Sequence, residues 1–141
     1  MAGLFKAIGD ILDTVLYSLA NIVGAIVATA IYAVGAVLSL AVDLVGWITG
    51  NQEEIVQQGA TEVNVVMGSA LSDFIRTNQQ TGNYTEVSFD QLKTMDKGIV
   101  NVASKQNGEA VKVQMITSRD GLSTESVEAF NGKSVMKVKL S

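Results

Sequence analysis

The chain contains no cysteine, no histidine and no proline. Without cysteine there are no disulfides and no thiolate metal sites, and the redox compartment leaves no trace. Without histidine the commonest general base and metal ligand is missing, and with it every triad built on imidazole. Basic runs are also lacking: the net charge is −4 with 10 Lys and Arg against 14 Asp and Glu, so the footprint of a nucleic-acid binder is absent. Aromatic residues make up only 6%. Neither GxxxxGK[ST] nor GxGxxG occurs, so KQNGEA and SRDG read as glycine turns and not as phosphate cradles. The close carboxylates, Glu53 with Glu54 and Asp90 with Asp96, lack the spacing of a metal loop. No enzyme chemistry, cofactor or metal is therefore expected.

What is present is unevenly spread. Apolar residues reach 48% of the chain, and most of them precede Gly50. Thr14 to Val42 carries no charge at all. From Asp10 to Ile75 the sequence reads in blocks of eleven. Ile11, Ile22, Ala33, Leu44, Ile55 and Val66 fall at one position, and Gly24, Gly35, Gly46 and Gly68 two positions later. Eleven residues at about 3.67 per turn return to nearly one helical face. The repeat predicts one long α-helix, imperfect where Gln57 breaks the glycine register.

Small residues stand four apart at Ala20, Gly24 and Ala28, at Gly35 and Ser39, at Gly46 and Gly50, and again at Gly68. That spacing lets helix backbones approach closely. Each glycine costs a helix about 1 kcal/mol relative to alanine, so close packing against a neighbour is the expected reason for keeping them. Asp43 is a lone charge among apolar residues. It either pairs with a cation such as Lys6 of another copy or marks where the helix leaves apolar surroundings.

The run of about 29 residues would be roughly 43 Å long as a helix, against a bilayer core of about 30 Å. A single span would need a steep tilt, and two arms of a hairpin would each be too short. Enclosure by copies of itself fits any length.

Asn51 to Gln80 keeps an apolar stripe and reads as amphipathic helix, with Gly59 and the β-branched Val63, Val65 and Val66 as weak points. TNQQTGN, Thr77 to Asn83, marks a boundary. Beyond it Val87 and Phe89, Ile99 to Val102, Val111 to Met115 and Val135 to Leu140 suggest four or five strands. Leu92 to Lys97 reads as a short helix, and Asn131-Gly132 is a hairpin signal. Lys133, Lys137 and Lys139 are read as guards of an exposed edge.

The expected fold class is α+β, a long N-terminal hydrophobic α-helix followed by a small C-terminal antiparallel β-sheet. The expected division is residues 1–80 for the helix and 81–141 for the polar β-domain. This layout is similar in outline to bacterial and archaeal pilins. The leader peptide and the glutamate near the mature start that mark type IV pilins are missing here, so no residue role is carried over. The expected function is a structural, non-enzymatic subunit of a homo-oligomeric filament or tube, at a cell surface or in a membrane. The alternative is an integral membrane protein, a pore or virion membrane protein anchored by one tilted helix. The expected partners are other copies of the chain and a lipid membrane, with no nucleic acid.

Overall fold

A computed structural model describes Lys6, Ala7, Ile26 and residues 31–140. The expected helix from Ile8 to Ala30 therefore lies, apart from Ile26, outside the described residues. Ile26 itself is helical and buried.

The fold is a mixed α/β sheet structure. Its strands are β1 (Lys6–Ala7), β2 (Tyr32–Ala33), β3 (Glu62–Met67), β4 (Gly98–Ser104), β5 (Ala110–Thr117) and β6 (Val135–Lys139). Its helices are α1 (Val45–Gln57), α2 (Gly68–Gln79), α3 (Phe89–Asp96) and α4 (Thr124–Ala129). A π-turn, Leu40–Leu44, leads into α1. The sheet order is β1-β6-β3-β4-β5-β2. Every pairing is antiparallel except β2 with β5, which is parallel.

The described residues correct the expectation of one long helix. Between Val45 and Gln79 the chain forms helix, turn, strand and helix in succession. Val63, Val65 and Val66 are β-branched and stiff at χ1, which favours the pleated strand over the helix. Ala60 starts the turn back, with Gly59 at φ +95, a left-handed conformation that favours glycine. The carboxyl-terminal end of the uncharged run is also not helical: Tyr32 and Ala33 pair with Ile116 and Thr117. Among the described residues no helix is long and apolar enough to cross a membrane.

β3 comes from the first of the two expected segments, yet it lies between β4 and β6 from the second. Both its faces are covered. On one, Val66, Val100, Met115 and Val135 pack with Leu71 and Ile75 of α2, with Leu92 and Met95 of α3, and with Ile26. On the other, Val65, Ile99, Ile116 and Met136 pack with Leu38, Leu40, Trp47, Ile55 and Phe130. Coverage on both explains why β3 reads as a nearly continuous apolar run and not as an alternation.

Local signals set several boundaries. Ser88 caps α3 by accepting from the Gln91 N–H, and the Gln91 side chain returns the bond to the Ser88 N–H. Ser123 accepts from Ser126 N–H at the start of α4. Asn131 and Gly132 do adopt left-handed conformations, but they connect α4 to β6 and not two strands. The expected short helix at Leu92 begins earlier, at Phe89, so the strand suggested by Val87 and Phe89 does not form.

Candidate functional site

Of the small residues at four-residue spacing, Ala20, Gly24 and Ala28 lie outside the described residues. Gly35 sits in a bend after β2, and its carbonyl accepts from Arg119 N–H at 3.4 Å. Ser39 precedes the π-turn. Gly46 and Gly50 lie one turn apart on α1, both exposed, and a Cβ on either would meet nothing within 4 Å. Gly68 differs: it is buried at the start of α2, and a Cβ there would fall on the Met95 carbonyl oxygen. The structure thus brings Gly46 and Gly50 together on an open helix face and places Gly68 in a tight contact within the chain.

Asp43 accepts a hydrogen bond from Ser39 N–H at 2.8 Å, closing the π-turn from within. Four residues separate donor and acceptor, so this is a local cap on orphan backbone donors. Lys6 falls in β1, opposite Lys137 of β6. Asp43 follows β2, and β1 and β2 occupy opposite ends of the strand order.

Between Ile31 and Leu44 the backbone alternates between the interior and water. Leu38, Leu40 and Leu44 are buried, while Ile31, Tyr32, Val37 and Val42 are 41%, 51%, 49% and 69% exposed. The buried set is fixed by specific bonds. Leu38 N–H donates to the Gly121 carbonyl at 2.9 Å, and Leu40 N–H donates to Ser126 Oγ of α4 at 2.9 Å. The exposed set stands on this anchored backbone, just where the uncharged run joins the sheet. Val56 of α1 adds another exposed apolar side chain, at 48%. Sequence reasoning singled out the glycines and passed over these residues. Their signal was their place at the end of an uncharged run, but which of them turn outward depends on the β2–β5 pairing.

Two polar networks brace the helices. Trp47 Nε1–H donates to Gln114 Oε1 at 2.7 Å, and Lys112 Nζ reaches Asn51 Oδ1 at 2.8 Å and Glu54 Oε2 at 3.1 Å, holding α1 to β5. On the other face Arg76 of α2 donates to Asp96 of α3 at 2.9 Å, and the Ser72 hydroxyl also donates to Asp96. Partial burial pushes the Asp96 carboxyl up. Hydrogen bonds from Arg76 and Ser72 and the Arg76 charge outweigh it, and the net result lies below the usual carboxylate range. The hydrogen bond to Asp96 raises Arg76 in turn.

A depressed carboxylate adds stability that is present above its unfolded pKa, near 3.9, and is lost as pH falls through the lower folded value. Asp96→Asn is accordingly expected to lower stability by about 1 kcal/mol at pH 7, since the pair is partly solvated. The difference between variant and parent should shrink below about pH 4 in urea titrations. A constant difference down to pH 2 would refute the assignment.

Among the described residues no group of carboxylates is placed to hold a metal ion. Comparison with known protein families, curated proteins and solved structures finds no match to this chain.

Proposed function

We propose that the protein is a structural subunit of a homo-oligomeric assembly. In this reading copies associate through the surface where the apolar N-terminal run joins the mixed α/β head, since Ile26 of that run is itself packed inside the head. The observation that carries the reading is continuity. Thr14 to Val42 has no charge, and its far end emerges on the head as exposed Ile31, Tyr32, Val37 and Val42. Exposed apolar side chains grouped along one segment are candidates for association, and burying them contributes roughly 25 cal/mol per Å².

The notches Gly46 and Gly50 on α1 supply the second half of the proposal. Each weakens α1 by about 1 kcal/mol relative to alanine, and neither relieves a contact among the described residues. Close approach of a neighbouring copy would account for both. The double substitution Gly46→Leu and Gly50→Leu is expected to leave the head folded, because open space surrounds both positions, while abolishing assembly. Negative-stain electron microscopy and sedimentation velocity read the outcome. Filaments, tubes or rings from the parent chain and dispersed subunits from the variant would support the reading. A parent chain that never assembles, or a variant that assembles equally well, would refute it.

A second reading is favoured by one observation, the length of the uncharged run. The run has about 29 residues against the roughly 20 that a bilayer span requires, and because Ile26 and residues 31–42 belong to the head, this reading requires part of the run to leave it. In this reading the run anchors the head in a membrane. Alkaline carbonate extraction separates the two: retention in the lipid pellet supports the anchor, and release as lipid-free particles supports the self-assembling subunit.

A further inference from the structure

We infer that the cavity between β2, the end of α3 and the turn after β5 is a binding site for a phosphate-bearing ligand, held between Lys97 and Arg119. The cavity measures about 380 Å³ and is lined by Thr94, Lys97, Thr117, Ser118 and Arg119 on its polar side. Ala33 and Val34 of the β2 segment form its apolar side. A phosphate ester with a small organic group is of the size and mixed polarity that such a space takes.

The charges favour an anion. Both charged residues in the lining are cations. The nearest carboxylate along the chain, Asp96, is engaged by Arg76 of α2. Asp120 lies 3.6 Å from Arg119, with both side chains largely exposed, so water screens that pair strongly. Lys97 forms no ion pair among the described residues. The whole chain carries −4 and repels anions at long range, so attraction here has to come from these two side chains.

The frame that holds the cations is rigid. Ser118 N–H donates to the Lys97 carbonyl at 3.3 Å, and the Ser118 hydroxyl donates to the Gly121 carbonyl at 2.8 Å. The Thr117 hydroxyl donates to the Thr94 carbonyl at 3.2 Å, and Val34 N–H donates to the Thr117 carbonyl at 2.8 Å. Three separate segments are thereby fixed around one space. Because these hydroxyl protons are committed to carbonyls, they are not available to an anion, which would depend on the two charged side chains. Among the lining residues Lys97 and Arg119 carry the charged donors an anion would need, and Arg119 would add a fork suited to two phosphate oxygens. The turn SRDG therefore takes part through a side chain and not as a backbone phosphate loop.

Free phosphate esters and phospholipid headgroups share this chemistry, and the test distinguishes them. Inorganic phosphate and glycerol 3-phosphate are titrated into the full chain by calorimetry. Co-sedimentation compares vesicles of phosphatidylcholine with vesicles containing phosphatidylglycerol. Both are repeated with Lys97→Ser plus Arg119→Ser, and with Lys133→Ser plus Lys139→Ser, which removes the same charge elsewhere. Loss of two charge-assisted contacts should weaken binding about tenfold or more in the first variant, with less than about a twofold change in the second. Soluble-ligand binding that follows this pattern supports a site for free phosphate esters. A preference for phosphatidylglycerol that follows it, without soluble binding, supports a headgroup site. Absence of both, or equal loss in the two variants, overturns the inference. The outcome is independent of self-assembly, since the readout is anion preference and not particle formation.

Discussion

Gly68→Ala is expected to destabilise the protein by about 3 kcal/mol or to prevent folding altogether. The added Cβ would fall on the Met95 carbonyl oxygen and crowd that of Gly98 as well. These are backbone atoms, which a rotamer change cannot move. They sit at the end of α3 and the start of β4, so relief requires shifting α2 away from both elements. Overpacking in a well-filled interior typically costs 1–3 kcal/mol, and an obstacle of backbone puts this site at about the upper end. Gly98→Ala should behave similarly, because its Cβ would meet the Ile116 carbonyl oxygen on β5. Urea denaturation monitored by circular dichroism provides the measurement. A loss under about 1 kcal/mol at Gly68 would show that α2 does not approach α3 as closely as described.

Asn101→Val is expected to have a large effect of the opposite sign, a gain of about 1–3 kcal/mol. Asn101 lies in the middle of β4, flanked on both sides by paired strands, and is fully buried. Among the described residues neither Nδ2 nor Oδ1 has a hydrogen-bond partner. Gln114, directly opposite on β5, has its Oε1 taken by Trp47. An amide taken from water without compensation costs on the order of 1–3 kcal/mol, and replacing it with an apolar group removes that cost. Valine also suits a strand whose neighbours on the same face are Ile99, Ala103 and Val65. Asn101→Asp should be severely destabilising by the same reasoning, since it buries a charge with no counterion. Chemical denaturation of the two variants against the parent decides the matter. A valine variant less stable than the parent would mean that the amide has a partner worth keeping, such as an internal water.

The sheet strands after residue 97 were legible because their signals are local. GIVNVAS, AVKVQMIT and VMKVK are β-branched runs bounded by glycine or polar turns, and they form β4, β5 and β6. The segment before residue 80 was misread for a physical reason. A strand covered on both faces loses its period of two, and Val63 to Met67 then fits a helical template as well as a pleated one. Of the described members of the eleven-residue recurrence, Leu44, Ile55 and Val66 are in the interior and Ala33 is exposed. The recurrence assigns them to a single rod, although Leu44 and Ile55 pack on one face of the sheet and Val66 on the other. The role of Gly68 was visible as a small residue but not as to its neighbour, because Met95 lies 27 positions away and meets it only through α3. The same holds for the Lys97–Arg119 cavity, whose walls come from three segments distant in sequence.

The outermost strands of the sheet, β1 and β2, comprise two described residues each, and both come from the amino-terminal portion of the chain. A stub of that length offers an incoming backbone too few amides to begin a ladder. Under the proposed assembly, copies would therefore join by contacts between side chains, without extending the sheet from one copy to the next. Fibre diffraction from aligned specimens should accordingly lack the continuous meridional spacing near 4.7 Å that stacked strands produce.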